Sequence, residues 1–379
     1  MVKILMGAAD EMLVWEHIPD KSVQMAVTSP PYWGLRTYGV DGQIGHEPTV
    51  DLYVQRLVKV FQQVKRVLRD DGTFWLNIGD SFSTTDGSYG RSDPKSQKSN
   101  AFKLGQYYRT GKIEATSGLP PKNLVLVPYR MASALQQDGW ILRQDIIWHK
   151  TSCLPEPTKD RPSNVHEHMF LFAKEQRYYY DKKASGDLER FGSLLEGEAK
   201  YQNSVWQLSS GSSGINVCKK CSRLYHPDEY KRLGNNGKFS MHHASHAKAG
   251  QKLLQSEGNP RSAKVCSRCG GTEWEAHAAP YPQKLVAPCI MSGTSDKGAC
   301  QNCGTCWIRD GESWKKNCKC KTNQVRPCVV LDCFNGSGTT GVVAMRLGRG
   351  YMGIDLSPAY TGAAYERLGR VAKLRGISL

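Results

Sequence analysis

The segment from Val329 to Thr340 constrains this chain most. Val329-Val330-Leu331-Asp332 is a short apolar run closed by a carboxylate, and Cys333-Phe334-Asn335-Gly336-Ser337-Gly338-Thr339-Thr340 follows it directly. An apolar run of that length, bounded by turn residues, reads as a strand covered on both faces. Gly336 and Gly338 let the backbone turn sharply and come close to a ligand. A helix beginning at Thr339 would aim its N-terminus at that ligand. A second apolar strand, Tyr351-Met352-Gly353-Ile354, ends in Asp355, where a carboxylate can accept both hydroxyl hydrogens of a ribose. Strand, glycine loop, helix and strand in this order call for an α/β fold with a parallel sheet, in outline that of a dinucleotide-binding unit.

The full G-x-G-x-x-G pattern is absent: Phe334 stands two positions before Gly336. An aromatic side chain there suits a nucleoside without pyrophosphate, which favours S-adenosylmethionine over NAD. Near the other end of the chain a second apolar strand, Val23-Gln24-Met25-Ala26-Val27, leads into Thr28-Ser29-Pro30-Pro31-Tyr32-Trp33. Two prolines fix φ and remove two backbone donors, so the turn is expected to present carbonyls outward without internal partners. Such a cradle suits an exocyclic amine. Acceptors at Ser29 Oγ and the Pro30 carbonyl would hold its two hydrogens and turn the nitrogen lone pair toward a sulfonium methyl. Pro31 stiffens the turn, and Tyr32 offers a face on which an extruded base can stack. The contribution is positioning and electrostatics rather than covalent catalysis. Methylation of cytosine C5 would need a cysteine after the proline, where Tyr32 stands.

Charge agrees with a polyanionic partner. The 379 residues carry 51 Lys and Arg against 35 Asp and Glu, a net +16 spread along the chain, and such a field attracts nucleic acid. No run approaches the ~20 apolar residues of a membrane span, and the start, Met1-Val2-Lys3-Ile4-Leu5, turns polar at once, so the expectation is a cytoplasmic protein with no membrane partner. Apolar positions Leu52, Val54, Leu57, Val60, Phe61, Val64 and Leu68 have helical spacing, with Asp70-Asp71-Gly72 expected to end that helix. A strand over residues 73–80, a helix over 124–137, a strand over 140–148 and a strand over 170–173 are expected to follow. Residues 81–118 hold no periodicity and read as a mobile loop.

Three regions result: a catalytic half at 1–206, a basic Cys/His insertion at 207–276, and a cofactor half at 277–379. Most of the 13 cysteines come in close pairs, a pattern that in a chain without an export signal favours zinc over disulfides. Cys218, Cys221, Cys266 and Cys269 form two C-x2-C knuckles and hence a zinc-ribbon-like module, which with Lys219, Lys220, Arg223, Lys231, Arg232, Lys264 and Arg268 would extend target recognition. Cys300, Cys303, Cys318 and Cys320 could hold a second structural zinc, with Cys306 a spare thiol.

At this point the chain resembles the β class of amino-DNA methyltransferases, in which the catalytic motif precedes the cofactor motif, and within it phage- and prophage-type members with the turn Thr-Ser-Pro-Pro-Tyr-Trp-Gly-Leu-Arg, here Thr28 to Arg36. The resemblance covers roughly 1–80, 120–182 and 277–370, and includes Leu76-Asn77-Ile78-Gly79-Asp80, Trp148-His149-Lys150, His166-Glu167 and Tyr281-Pro282-Gln283-Lys284-Leu285. Two departures are Cys333 in place of the usual Pro and Ala9 in place of Gly. The resemblance implies a Rossmann-like sheet with permuted motif order, S-adenosylmethionine as donor and double-stranded DNA as substrate. It also implies a cofactor site drawn from Asp10, Lys284, Ser292, Thr294, Asp332, Phe334, Gly336, Ser337, Gly338, Thr339, Thr340 and Asp355. Ser at position 29 is the usual cytosine-N4 form, whereas adenine-N6 enzymes usually carry Asp there. Adenine N6 on the same fold, and a catalytically degenerate DNA-binding protein, remain the alternatives. A cognate restriction endonuclease is a candidate partner, and monomer and homodimer are both open. Arg36, Lys150 and Arg161 are candidate phosphate or base-pocket contacts.

Overall fold

A computed structural model describes residues 2–35, 41–83, 117–153, 156, 158–186, 199–209, 215–218, 224–225, 274–277 and 281–376. The first stretch runs β1 (Val2–Met6), α1 (Met12–Trp15), β2 (Val23–Thr28), α2 (Val50–Val67) and β3 (Leu68–Ile78). Then come α3 (Val127–Gln137), β4 (Ile141–Lys150), β5 (His166–Ala173), α4 (Lys182–Gly186), β6 (Ala199–Gln202) and β7 (Val205–Leu208). Three short strands, β8 (Ile215–Cys218), β9 (Leu224–Tyr225) and β10 (Trp274–His277), form their own antiparallel sheet. The C-terminal stretch holds α5 (Gln283–Gly293), β11 (Ala299–Cys300), β12 (Ile308–Asp310), β13 (Ser313–Lys315), β14 (Val325–Arg326), β15 (Val329–Asp332), α6 (Thr339–Arg346), β16 (Gly350–Asp355) and α7 (Pro358–Arg375).

Nine strands make the main sheet in the order β1-β16-β15-β2-β3-β5-β4-β7-β6. The first five run parallel, and β5 turns antiparallel on β3, so the sheet is mixed. Side-chain alternation divides the apolar residues between two cores. Phe74, Leu76 and Ile78 of β3 face α2 and α3, whereas Trp75 faces the other side. Val329 and Leu331 of β15 join the first core, and Val330 joins the second with α5, α6 and α7. Helices therefore cover both faces of the sheet, as strands apolar on both faces require.

Several expected boundaries move, for local reasons. The strand after α2 begins at Leu68 rather than at residue 73. Asp70-Asp71-Gly72 does not form a separate turn; β2 and β3 pair at Val23–Leu68 and again at Met25–Thr73, with the register shift of a bulge between. In β2, Val23 and Ala26 lie in one core and Met25 and Val27 in the other. The helix expected from residue 124 starts at Val127, because Leu126 has φ +62° and Pro128 occupies the first turn. The Asp80 carboxylate, 47 positions away in the chain, accepts from the Val127 N–H at 3.0 Å. The strand expected at 170–173 extends back to His166. β7 runs two residues past the expected boundary at 206 and pairs with β4, so the main sheet continues to Leu208. Most of 81–118 falls outside the described residues.

Topology fixes where a ligand can sit. β2 and β15 are neighbours, paired at Met25–Val330 and Ala26–Leu331. From β2 the chain passes to α2 on one face, and from β15 to α6 on the other. The two loops thus part at the carboxyl ends of adjacent parallel strands and open a crevice at a topological switch point.

At the opposite ends of these strands, buried Gln24 ties the sheet to the cysteine loop. Its Nε2 donates to the Gly304 carbonyl at 3.0 Å, and its Oε1 accepts from the Val329 N–H at 2.6 Å. Gln24→Leu strips both groups of a partner, each loss costing about 1–3 kcal/mol. The variant should unfold at clearly lower urea concentration than the parent with an unchanged m-value.

Candidate active site

The crevice holds a cavity of about 340 Å³. Ser29, Pro30, Pro31 and Tyr32 line one side, and Asp332, Phe334, Gly336, Ser337, Thr339 and Asp355 line the other. Segments about 300 residues apart in sequence thus share one chamber, together with Asp10 from the loop after β1.

The glycine loop is shaped by its backbone bonds. Gly336 and Gly338 have φ of +50° and +77°, left-handed values that glycine adopts without a Cβ penalty. Asp355 at the end of β16 accepts from the Gly336 N–H at 2.6 Å and the Ser357 N–H at 2.9 Å. The same carboxylate faces the cavity, so it joins loop shape to ligand chemistry. Arg367 on α7 clamps the loop from behind, donating to the Ser337 carbonyl at 2.7 Å, Ser337 Oγ at 2.8 Å and Thr339 Oγ1 at 3.2 Å. Burial, with Arg346 and Arg370 nearby, draws the Arg367 pKa down to about 10. No sequence motif marked this residue, because its role comes from helix packing.

Asp332 is the buried joint of the site. Its Oδ1 accepts from Thr28 Oγ1 at 2.5 Å and the Phe334 N–H at 3.1 Å. Its Oδ2 accepts from Thr340 Oγ1 at 2.5 Å and the Tyr281 hydroxyl at 3.0 Å. Burial pushes its pKa above the ordinary carboxylate value, against the pull of those donors. Burial, then the nearby Asp332, pushes the Tyr281 phenol well up. Tyr281 also lines the cavity, a position carried only inside a longer motif in the sequence.

Around the Ser-Pro-Pro-Tyr turn, the expectation of free carbonyls holds in part. The Pro31 carbonyl accepts from the Tyr53 hydroxyl at 2.8 Å, so α2 braces the turn and that acceptor is engaged. Among the described residues, neither Ser29 Oγ nor the Pro30 carbonyl has a hydrogen-bond partner. The Tyr32 ring lies against Gly79, where a Cβ would stand 2.7 Å from Tyr32 Cε2. The Tyr32 hydroxyl donates to Glu167 Oε2 at 2.5 Å. Asn77, Glu167, Trp148 and Lys150, from β3, β4 and β5, complete this side of the cavity.

Other expected cofactor residues lie off its wall. Ser292 Oγ donates within α5 to the Pro288 carbonyl at 2.7 Å, and Thr294 Oγ1 accepts from Arg349 Nε at 3.0 Å. Their helix packs against α6, which turns both hydroxyls into the protein interior. Lys284 is half-buried at the start of that helix, outside the lining. Gly338 packs against Ala364, where a Cβ would approach to 2.9 Å, and Thr340 stands behind Asp332. Arg36 lies outside the described residues, and Arg161 bonds Glu156 and stacks on Phe82 rather than lining the cavity.

Of the cysteines, Cys300, Cys303, Cys318 and Cys320 converge, with all sulfurs within 4.8 Å of one another. Tetrahedral zinc with Zn–S near 2.3 Å places its sulfurs about 3.8 Å apart, so this donor set fits that ion. Arg69 holds the loop to β3 through the Cys303 carbonyl and Thr305 Oγ1. Cys306 is not a fifth member: its sulfur lies 3.5 Å from Cys328 in a separate buried cluster with Tyr179 and Ala299. Cys218 ends β8, while Cys221, Cys266 and Cys269 lie outside the described residues.

A mixed sheet, a glycine loop with an acidic partner, and an acceptor turn on the neighbouring strand together define a methyltransferase of nucleic-acid bases. The chain belongs to the N6/N4 DNA methylase family, whose pattern matches residues 23–366. It is 32% identical over 359 residues to the type II methyltransferase M.Cfr9I of Citrobacter freundii, covering 95% of this chain and 85% of that protein. It is 33% identical over 368 residues to the type II methyltransferase M.SmaI of Serratia marcescens, covering 97% and 91%. A solved structure of the PvuII DNA methyltransferase (cytosine-N4-specific) has the same fold, with a TM-score of 0.51 at 18% identity over 98% of this chain and 90% of that one. Among the described residues no helix is long and apolar enough to cross a membrane.

The four-fold acceptor role of Asp332 carries a direct consequence. Asp332→Asn replaces one acceptor oxygen by a donor that faces other donors. Two buried groups lose their acceptor, at about 1–3 kcal/mol each. Urea denaturation should show a loss of at least ~2 kcal/mol, and an unchanged midpoint would contradict this network.

Proposed function

We propose that this DNA methyltransferase transfers the methyl group of S-adenosylmethionine to the exocyclic N4 of cytosine in duplex DNA, at a specific sequence. The observation that carries the reading is the single cavity shared by Ser29, Pro30 and Tyr32 with the Phe334–Thr339 loop and Asp355. Asp355, with Gly336, Ser337 and Thr339, would hold the nucleoside, and Phe334 would pack on its adenine. Asp10 has one carboxylate oxygen salt-bridged to Arg56 at 2.7 Å and the other buried without a partner, which suits an ammonium such as that of the methionine moiety. S-adenosylmethionine supplies the electrophilic methyl. The residues of the turn hold the amine, with Ser29 Oγ and the Pro30 carbonyl accepting its hydrogens, and Tyr32 stacks on the flipped base.

Ser29 supports cytosine within a family that also contains N6-adenine enzymes. The order of the two motifs, catalytic before cofactor, is the permuted order of the β class. The similarity to type II methyltransferases supports a modification role in the cytoplasm, beside a cognate restriction endonuclease. The basic module at 207–276, with zinc on Cys218, Cys221, Cys266 and Cys269, would extend target recognition.

The reading is tested by incubating the protein with unmethylated genomic DNA and labelled S-adenosylmethionine and identifying the methylated nucleoside by mass spectrometry. N4-methylcytosine is expected; N6-methyladenine would keep the mechanism and overturn the base assignment. Tyr32→Ala should cut transfer at least a hundredfold with cofactor affinity kept, whereas Asp355→Ala should weaken cofactor binding itself.

A structural zinc on Cys300, Cys303, Cys318 and Cys320 would brace the loop leading into β15, with no part in the chemistry. Elemental analysis should lose one zinc per chain in Cys300→Ser/Cys303→Ser relative to the parent. The same variant should melt at lower temperature, because binding free energy at such a site adds to folding free energy.

A further inference from the structure

Two side chains in the antiparallel half of the sheet form an ion pair inside the active-site cavity. Trp148 and Lys150 are two apart on β4 and so share a face, and Glu167 stands opposite Trp148 on β5. The Glu167 carboxylate is a hub: Oε2 accepts from the Tyr32 hydroxyl at 2.5 Å and the Asn77 amide at 3.2 Å, and Oε1 accepts from the Lys150 ammonium. Their side chains are only 24% (Lys150) and 13% (Glu167) exposed. Withdrawing such a pair from water costs desolvation that its own attraction often fails to offset. A purely structural role is therefore a poor account of it.

An inventory of donors around the turn singles out Lys150. The Tyr32 hydroxyl is directed to Glu167. The Asn77 amide hydrogens go to Glu167 and, at 3.1 Å, to the His168 carbonyl. The Trp148 indole donates to the Leu208 carbonyl at 3.3 Å. An ammonium carries three hydrogens, and among the described residues Glu167 alone takes one from Lys150. The ammonium also lies 5.0 Å from the Trp148 ring centroid, which restricts where it can point. Among the described residues, Lys150 is thus the cation with donor capacity to spare on the side of the cavity where the base would stack.

A base whose exocyclic amine is held by Ser29 and Pro30 brings a ring nitrogen next to that amine. In cytosine this atom is N3, an acceptor. In thymine and guanine the equivalent nitrogen carries a hydrogen and donates. We propose that Lys150, positioned by Glu167, donates a hydrogen bond to N3 of the flipped cytosine and so selects amino bases over keto bases. The assignment rests on the amino-methylation reading above. Glu167 has a second consequence, because it neutralises the lysine in a cavity that must also accept the positive sulfonium of the cofactor.

The test uses a duplex carrying one methylation site mapped with the parent enzyme, and the same duplex with 3-deazacytosine at the target, which keeps the amine and replaces N3 by C–H. For the parent, kcat/KM should fall about tenfold to a hundredfold on the analogue, the range for one charge-assisted hydrogen bond. Lys150→Met should lose a similar factor on cytosine and little more on the analogue, with affinity for S-adenosylmethionine unchanged; Lys150→Leu, which likewise lacks a donor, serves if the first variant fails to fold. Glu167→Gln, which loosens the ammonium without removing it, should show an intermediate penalty for the analogue. Independent, multiplicative losses in the lysine variants overturn the assignment, and a full parental penalty in Glu167→Gln overturns the positioning role. A parent enzyme that forms no N4-methylcytosine on the natural duplex overturns the cytosine-N4 reading first, and this assignment with it.

Discussion

Everything in the site depends on β2 and β15 lying side by side. Their pairing at Met25–Val330 and Ala26–Leu331, closed by the 2.5 Å hydrogen bond from Thr28 to Asp332, joins residues 304 positions apart. Without it the acceptor turn and the glycine loop would be two unrelated strand ends. The buried Asp332 carboxylate holds this junction by engaging both strands, α6 through Thr340, and Tyr281 ahead of α5. A buried charge is tolerable only when fully hydrogen-bonded, and here all its partners belong to the frame of the site. The same group therefore fixes the geometry and links stability to catalysis.

A division of labour across the sheet follows. The parallel half supplies the glycine loop and Asp355, which line one wall of the cavity, with Arg367 clamping the loop from behind. The antiparallel half, β5 and β4, supplies Glu167 and Lys150, which address the space beneath Tyr32. The turn itself sits between the halves and is braced from both. Tyr53 on α2 takes the Pro31 carbonyl, and Glu167 on β5 takes the Tyr32 hydroxyl. Gly79 lets the ring lie close to the backbone. A ring fixed this way would need little reorganisation in the stacking role proposed for it, which is what positioning catalysis requires.

The two strand-plus-turn motifs were legible in the sequence because each is local: an apolar run, then residues whose backbone preferences are written in Pro and Gly. α2 was legible through its spacing, and the convergence of Cys300, Cys303, Cys318 and Cys320 through theirs. Relations set by packing were not. Arg367 supports the loop from a helix turn with no motif, and Ser292 and Thr294 resemble site residues in sequence yet turn inward because α5 packs on α6. The Pro31 carbonyl looked free because its partner, Tyr53, lies 22 positions on along α2. The bulge in β3 was hidden because Asp-Asp-Gly is as good a turn as it is a bulge, and only pairing with β2 decides between them.

The cysteine loop belongs to this logic although it sits at the far end of the strands. Arg69 on β3 and Gln24 on β2 both reach it, through the Cys303 and Gly304 carbonyls, and Gln24 also holds the first N–H of β15. The loop is thus fastened to the two strands that flank the catalytic turn and to the one that carries the glycine loop. By tying this loop to the Val329 N–H, Gln24 sets the start of β15, and hence the height at which Asp332 and Phe334 emerge beside Ser29. A one-residue slip there would reverse the facing of every β15 side chain and take Asp332 away from Thr28. Bracing the amino end of β15 is in this sense a condition for the chemistry at its carboxyl end.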